Sequence, residues 1–258
     1  MSSAAEFCPR GLCDGSGFIL EEGNVARPCP CREVRINRAT SRRMGTGIPR
    51  RFRGVSFDRR PVCDLDPVVL RDVQGFVRNI DDNLAAGRGR WFYGDVGTGK
   101  TSLAMLISQA ALESGHSVAI YSVPRLLAEI KATYEDGSGP SYQQLFRQLC
   151  EVELLHLDDV GAEKRTDWVL EQLYSIVNER WQDERSILVT TNLLDLDELR
   201  EQVGARTVSR LTEVCGEAIP IMGADLRMAF SGVNAPSAEP LGSGLAPAPP
   251  RAAGSRAS

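Results

Sequence analysis

The sequence of 258 residues lacks the features that would insert a chain into a membrane or direct it out of the cell. It has no run of about 18 apolar residues, the length that a membrane-spanning helix needs. Its first residues lack the basic segment followed by an apolar one that marks a secretory signal. Internal repeats are absent too. We therefore expect a cytoplasmic protein with no membrane partner. Its 42% hydrophobic and 25% charged residues are typical of one α/β domain with small appendages.

A glycine-rich segment is the strongest signal in the chain. Residues 94–101 fit G-x-x-x-x-G-K-[ST], the loop that surrounds the phosphates of a nucleotide. An apolar strand enters it and an apolar helix leaves it, so backbone N–H groups and the helix N-terminus face the phosphates. The expected binding residues are Gly94, Asp95, Val96, Gly97, Thr98, Gly99, Lys100, Thr101 and Ser102. Lys100 is expected to reach the phosphates of a nucleoside triphosphate, and the Thr101 hydroxyl to bind Mg²⁺.

Four of the seven cysteines lie within the first 31 residues, namely Cys8, Cys13, Cys29 and Cys31. Disulfides are rare in the cytosol, and two close pairs separated by 15 residues suit Zn²⁺ held by four thiolates. The alternative is a set of free thiols in a flexible arm. Cys150 and Cys215 fall in apolar helical patterns, so we expect them to be buried.

Positive charge is concentrated in residues 32–60, although the chain carries a net charge of −4. This stretch has ten arginines against Glu33 and Asp58, a balance of +8 in 29 residues. Such a block suits phosphate backbones or an acidic protein surface. The alternative is a solvated helix and linker.

Short apolar strands alternate with helices beyond residue 66, which predicts a parallel sheet covered by helices on both faces. The first helix is expected over 67–84. The expected strands are 90–93, 117–123, 152–157, 186–191 and 218–222, and the other helices are 32–43, 100–114, 124–135, 141–150, 166–182, 195–203 and 206–214. From Val233 onward the composition changes to Ala, Pro, Gly and Ser, which predicts a disordered tail.

Polar side chains end two of the expected strands. Asp158 and Asp159 follow an apolar run, which suits a magnesium ligand and a carboxylate directed towards the attacking water. Asn192 ends the next apolar strand and is suited to holding that water and the γ-phosphate, although asparagine is also a favoured helix cap. His156 is expected to be a core residue. For the arginines at 206, 210 and 227, surface salt bridges are the alternative to contacts with the γ-phosphate.

Together these motifs resemble the AAA+ ATPases of the bacterial helicase-loader group (DnaC/DnaI type), and the related transposase helpers (IstB type) share most of them. The resemblance covers about residues 45–230 and rests on segments 48–52, 94–101, 157–163, 190–192, 209–211 and 225–227. It implies an α/β, P-loop AAA+ core with a five-stranded parallel sheet and no C-terminal lid. The implied domains are a cysteine-rich zinc arm with an Arg-rich helix (1–43), a linker (44–66), the ATPase domain (67–230) and the tail (231–258).

The resemblance also implies roles for individual residues. Lys100 and Thr101 would bind ATP·Mg²⁺, Asp158 would complete the Mg²⁺ site, Asp159 would help to activate water, and Asn192 would be the first sensor. Arg210 would be an arginine finger acting across a subunit boundary, with Arg206 as its rival, and Arg227 would be the second sensor. Many AAA+ proteins have Glu where this chain has Asp159, and the shorter side chain suggests slow or stimulated turnover.

Relatives in this group bind single-stranded DNA through the segment that corresponds to residues 124–150. That segment contains Arg125, Lys131, Tyr134, Tyr142 and Arg147. Cations and aromatic rings are what backbone tracking and base stacking require. An ordinary solvated surface is the alternative.

Three functions remain open from the sequence. The first is an ATP-dependent loader of the replicative DNA helicase onto single-stranded DNA, a homo-oligomer whose subunits share ATP at their boundary and whose zinc arm holds the helicase. The second is a transposase helper that binds duplex DNA, which the cysteine quartet disfavours. The third is an ATP-gated adaptor with little turnover, an option that Asp159 keeps open.

Overall fold

The computed structural model describes residues 8, 11–21, 25–44, 47–135, 141–223 and 225–226. Its main feature is a five-stranded sheet whose neighbouring strands are all parallel. The strands are β3 (Arg90–Tyr93), β4 (Val118–Ser122), β5 (Leu154–Asp158), β6 (Ser186–Thr191) and β7 (Ile219–Pro220), in the order β4-β5-β6-β3-β7. The inner strands are buried on both faces, which is why they appear in the sequence as nearly continuous apolar runs. The predicted parallel sheet is confirmed.

Helices cover both faces of this sheet and form two apolar clusters with it. The helices are α1 (Pro30–Arg43), α2 (Pro67–Arg78), α3 (Ile80–Ala85), α4 (Lys100–Ser114), α5 (Val123–Glu135), α6 (Tyr142–Glu151), α7 (Asp167–Gln182), α8 (Leu196–Val203) and α9 (Ala205–Cys215). One cluster includes buried residues of α2, α3 and α4, and the other includes buried residues of α5, α6, α7, α8 and α9. No helix in the described part of the chain is long and apolar enough to cross a membrane.

The single helix expected over 67–84 is wrong at Asn79, where α2 ends and α3 begins. Asn79 has φ −110° and ψ 36°, outside the helical region. Its side-chain amide donates to the Gly75 carbonyl at 2.9 Å, and that of Asn83 donates to the Phe76 carbonyl at 3.0 Å. Asparagine side chains compete with the helical backbone for such partners, and this competition explains the break.

The N-terminal segment packs on the edge of the sheet through α1. The Ser41 hydroxyl accepts the N–H of Val118, the first residue of β4, at 2.9 Å. A Cβ at Gly115 would lie 2.7 Å from Val34, and Gly115 has φ +96°, so α1 approaches this turn closely because the position is glycine. Before α1, β1 (Phe18–Glu21) and β2 (Val25–Pro28) form an antiparallel hairpin that the sequence did not predict.

Residues 47–66, for which the sequence predicts only a linker, contain two short 3₁₀ helices, Arg50–Phe52 and Val62–Asp64. Val62 and Leu65 are buried in the cluster that also holds α2 and α4. The stretch is therefore folded against the sheet domain. The expected tail, residues 231–258, lies outside the described residues, and so does the region in which a lid would follow.

Candidate functional site

The polar residues singled out in the sequence meet at one edge of the sheet. β3, β5 and β6 are parallel neighbours, so their carboxyl ends lie side by side. The glycine-rich loop follows β3, Asp158 ends β5, and Asn192 follows β6. The fold thus assembles one site from three separate segments of the chain.

The loop between β3 and α4 has the conformation that its glycines permit. Gly94, Gly97 and Gly99 have φ of 152°, 81° and 103°, and Gly99 precedes the first residue of α4. A Cβ at Gly94 would lie 2.2 Å from the Ile221 carbonyl oxygen, because the chain after β7 passes close by and the Ile221 N–H donates to the Tyr93 carbonyl at 2.7 Å. Position 94 therefore excludes every residue with a side chain.

Lys100 is folded over this loop and is only 4% exposed. Its Nζ donates to the carbonyl oxygens of Gly94 at 2.9 Å and Asp95 at 2.6 Å. A buried ammonium needs such oxygen partners. Phosphate oxygens at the mouth of the loop are partners of the same chemical kind with higher charge, so the geometry suits a polyphosphate ligand.

Asp158 lies at the centre of a cluster of oxygen atoms. Its Oδ1 accepts hydrogen bonds from the Thr101 hydroxyl at 3.1 Å and from the Thr190 hydroxyl at 2.6 Å. Burial alone would raise its pKa, but the His156 ring and the two hydroxyls stabilise the carboxylate and hold the pKa below its usual value. A carboxylate beside a threonine hydroxyl fits the hard oxygen ligands that Mg²⁺ prefers.

Thr190 was not singled out as a site residue in the sequence. Besides donating to Asp158, its hydroxyl accepts the N–H of Asp159 at 3.0 Å. It therefore connects β6 to both acidic residues at the end of β5. The available signal was the polar end of the 186–192 strand, which carries threonines at 190 and 191 before Asn192.

Asp159 turns away from the strand that precedes it. Its φ of +57° lies in the left-handed region, which aspartate tolerates better than most residues. The Asn192 amide donates to Asp159 Oδ1 at 3.1 Å. The carboxylate predicted to activate water and the predicted sensor are therefore in direct contact.

His156 is fully buried, as expected of a core residue. The Ser108 hydroxyl of α4 lies 3.0 Å from its Nδ1, and its Nε2 lies 3.8 Å from Asp158 Oδ1. The ring thus fills the space between α4 and the Asp158 carboxylate.

The predicted arginines differ in their surroundings. Arg210 stacks on the indole of Trp181, with its Cζ 3.5 Å from the ring centroid, and pairs with Glu213 at 2.9 Å. Arg206, one turn earlier on α9, is exposed. Arg227 lies outside the described residues, so its sensor role remains a prediction.

The four N-terminal cysteines are brought together as a cluster. Their Sγ atoms all lie within 4.8 Å of one another, with Cys8 and Cys29 3.8 Å apart and Cys13 and Cys31 3.5 Å apart. A tetrahedral Zn²⁺ with Zn–S bonds of about 2.3 Å needs sulfurs about 3.8 Å apart, so the residues fit the ion. The other cysteines of the chain are not part of the cluster, and Cys150 and Cys215 are buried as expected.

The thiols of this cluster differ in acidity. Burial raises the pKa of Cys31 to about 12, and the neighbouring cysteines add to the effect. Burial acts in the same direction on Cys13, but hydrogen bonds from the backbone at Gly15 and Gly17 outweigh it and lower the pKa of that thiol. A cysteine sulfur that accepts backbone N–H groups in this way is typical of a cysteine that binds metal.

Aromatic rings line the surface where α5 and α6 meet. Tyr134 and Tyr142 are stacked with centroids 5.7 Å apart, and Phe146 lies 5.9 Å from Tyr142. Tyr134 is 58% exposed. Nearby cations include Lys131, which lies 5.0 Å from the centroid of Trp168.

The chain is similar to known proteins in family, sequence and fold. A sequence profile of the family described as IstB-like ATP binding protein matches residues 56–212. The uncharacterized protein YdaV of Escherichia coli K12 is 31% identical over 182 residues, which cover 70% of this chain and 70% of that protein. The replicative helicase loader DnaC of the same strain is 28% identical over 192 residues, 74% of this chain and 76% of DnaC. A crystal structure of the DnaC helicase loader has a TM-score of 0.58 at 24% identity and covers 67% of this chain and 100% of that one.

Proposed function

Because the chain belongs to the family of IstB-like ATP-binding proteins, we propose that it is an ATP-dependent loader of the replicative DNA helicase onto single-stranded DNA during replication initiation. The observation that carries this proposal is the similarity to DnaC over 74% of the chain. The family and these relatives support ATP binding and a role in helicase loading in general. We propose in addition that the chain binds single-stranded DNA, that its partner is the replicative helicase, and that its ATP turnover is slow.

In the proposed ATPase site, the chain's own groups hold and orient the nucleotide. Backbone N–H groups of residues 94–102 and the Lys100 ammonium bind the β- and γ-phosphates, with Lys100 exchanging the carbonyls of Gly94 and Asp95 for phosphate oxygens. Thr101 and Asp158 are the residues that would hold Mg²⁺, which when bound withdraws negative charge from the phosphates.

Asp159 is the proposed general base, since it is the second carboxylate at the end of β5. It accepts a proton from the attacking water, while the Asn192 amide holds Oδ1 and fixes the orientation of the carboxylate. Aspartate reaches less far than glutamate, so turnover is slow and rises when the helicase or DNA draws the site together. If turnover is very slow even with these partners, the same site would make the chain an ATP-gated adaptor with little hydrolysis.

Hydrolysis in this proposal requires a second copy of the chain. Arg210 is the arginine finger that reaches the γ-phosphate held by a neighbouring subunit, where a guanidinium neutralises the developing charge. Arg206 on the same helix remains its rival, and Arg227 is the sensor within the subunit. The protein therefore works as a homo-oligomer assembled through its ATP sites.

Single-stranded DNA is proposed to lie along α5 and α6. The stacked rings of Tyr134 and Tyr142 and the tilted ring of Phe146 offer aromatic faces at this surface, and bases stack on such faces without regard to sequence. The cations Arg125, Lys131 and Arg147 lie on the same two helices and can follow the phosphate backbone.

The cysteine cluster is proposed to hold a structural Zn²⁺, because four sulfurs lie within 4.8 Å of one another and two of their pairs are 3.8 and 3.5 Å apart, close to the spacing in a tetrahedral site. A hairpin of two four-residue strands cannot bury enough surface to be stable alone, and a metal would supply the missing stability. We propose that this zinc arm and the Arg-rich helix α1 hold the helicase.

Native mass spectrometry of the chain mixed with the replicative helicase of its own host, with and without ATP, tests this function. A defined complex that carries one zinc per subunit of this chain is expected. The family profile also bears the IstB name, so a transposase helper is the second candidate. Folded, ATP-bound protein that forms no complex with the helicase but binds duplex DNA cooperatively would support that candidate instead.

A further inference from the structure

Two side chains, Trp181 of α7 and Glu213 of α9, form a closed set of contacts with Arg210. The Arg210 Cζ lies 3.5 Å from the centroid of the Trp181 ring, and its Nη1 donates to Glu213 Oε1 at 2.9 Å. The Trp181 indole N–H donates to the second oxygen, Glu213 Oε2, at 2.8 Å. Both oxygens of one carboxylate are therefore used, one by each of the other two residues.

These contacts direct Arg210 towards its own subunit. Its side chain is 30% exposed, because the indole covers one face of the guanidinium and Glu213 occupies one edge. Glu213 also neutralises the charge that the guanidinium would present to a phosphate. Arg206, one turn earlier on the same helix, is exposed, so the restraint applies to position 210 in particular.

We propose that Trp181 and Glu213 form a latch that holds Arg210 within its own subunit until a neighbouring subunit presents a nucleotide. The inference rests on the proposed function, in which Arg210 acts on the ATP of the next subunit. To act there, the guanidinium has to leave the indole face and exchange the Glu213 carboxylate for phosphate oxygens. Trp181 and Glu213 are thus positioning residues that set how readily subunits activate one another.

The contacts that form the latch are of the right strength for a switch. A cation–π contact and a partly exposed ion pair each change an equilibrium by roughly two- to fivefold. The γ-phosphate of ATP carries more negative charge than one carboxylate and lies in a less solvated site, so it can compete for the guanidinium. The latch therefore delays hydrolysis in weakly associated subunits and yields once the subunits are assembled.

A mixing experiment with two full-length variants isolates the finger. The donor, Lys100→Ala, lacks the phosphate-binding lysine but still carries Arg210. The acceptor, Arg210→Ala, keeps its ATP site but has no finger. ATP hydrolysis by the mixture, measured over a range of donor concentrations, then reports the action of the donor's Arg210 in the acceptor's site.

Glu213→Gln, which keeps the shape of the side chain and removes its charge, is introduced into the donor or into the acceptor. We expect the donor concentration for half-maximal activity to fall roughly two- to fivefold when the donor carries the change, and to stay constant when the acceptor carries it. Trp181→Leu in the donor is expected to act in the same direction. Asp197→Asn is the matched control, since it breaks a similar i,i+3 pair with Arg200 at 2.7 Å on α8.

An unchanged or increased half-maximal concentration with both latch variants in the donor overturns the proposal. An equal effect from donor and acceptor overturns it too, because a merely structural role would act in both. If the mixture of Lys100→Ala and Arg210→Ala, without latch substitutions, is no more active than either variant alone, Arg210 is not the arginine finger. The latch proposal is then wrong as well.

Discussion

The side-chain amide of Asn192 donates a hydrogen bond of 3.1 Å to Asp159 Oδ1, which joins the end of β6 to the end of β5. In the proposed function, the Asp159 carboxylate held by this contact takes a proton from the attacking water. Replacement of Asp159 by Ala is expected to leave ATP affinity within about threefold of the wild type and to lower turnover by about 10²- to 10⁴-fold, the usual contribution of a general base. Equilibrium binding of a fluorescent ATP analogue and steady-state phosphate release measure the two effects. Hydrolysis at the wild-type rate would remove Asp159 from the mechanism.

Thr190 provides a test of the magnesium site that does not alter a predicted ligand. Its hydroxyl donates to Asp158 Oδ1 at 2.6 Å and orients that carboxylate towards Thr101. Thr190→Val is expected to weaken binding of ATP about tenfold in the presence of Mg²⁺, and hardly at all in EDTA, as is typical when the support of a metal ligand is lost. Isothermal titration in the two buffers makes the comparison.

The control for that variant is Thr191→Val. Thr191 is a neighbouring buried threonine whose hydroxyl donates to the Val160 carbonyl at 2.7 Å and does not contact Asp158. Equal losses in both buffers, or equal losses from both variants, would mean that Thr190 acts on folding and not on the metal site.

The cysteine cluster predicts one zinc per chain. Cys29→Ser removes a buried sulfur that lies 3.8 Å from that of Cys8, so the variant is expected to lose the metal and the order of the hairpin. Inductively coupled plasma mass spectrometry of the purified protein gives its zinc content. Cys63→Ser is the control, because Cys63 is exposed and lies outside the cluster. Wild-type protein that contains no zinc, when purified without chelator, would refute the site.

His116 predicts a pH dependence of stability far from the ATP site. Its ring nitrogens lie 2.6 Å from Glu153 Oε1 and 2.8 Å from Asp81 Oδ1, and these acidic partners raise its pKa from 6.5 to about 9 despite partial burial. The folded pKa exceeds the unfolded one, so the stabilisation is fully present below about pH 6.5 and is lost as the pH rises through about 9.

Thermal melting between pH 6 and pH 10 tests this dependence against His116→Gln, which cannot take up the proton. We expect the Tm of the wild type to fall more steeply with rising pH than that of the variant. Subtracting the Tm of the variant from that of the wild type at each pH removes the contributions of other groups, including thiols, that titrate in the same range. Parallel curves would show that the charge on His116 does not support the fold.

The sequence predicted the phosphate loop, the parallel sheet and the polar residues Asp158, Asp159 and Asn192 at the ends of β5 and β6. The phosphate loop and the parallel sheet depend on local glycines and on apolar runs that are visible in the sequence. The role of Thr190 depends on the pairing of β5 with β6, which sets Leu157 opposite Val189, and that register cannot be deduced from either strand alone. The sequence predicts strand β6, but it does not show that Thr190 is the side chain that contacts Asp158 and Asp159.

The break at Asn79, the β1–β2 hairpin and the contacts of Arg210 leave little trace in the sequence. Asn79 divides a well-formed apolar pattern into α2 and α3 through side-chain hydrogen bonds that hydrophobic periodicity does not report. The β1–β2 hairpin has two strands of four residues that are mostly exposed, so it lacks the alternation that identifies a strand. The latch around Arg210 brings together α7 and α9, which are separated by a strand and another helix.

In the proposed function, this chain uses ATP to place a replicative helicase on single-stranded DNA. The most direct measurement is strand displacement by the host's replicative helicase on a closed circular single strand with an annealed, tailed oligonucleotide, where the helicase has no free end from which to thread. With this chain and ATP present, we predict displacement at a rate well above that of the helicase alone, and loss of the stimulation with Lys100→Ala. Displacement that is equally fast without this chain, or equally stimulated by the Lys100→Ala variant, would contradict the proposed function.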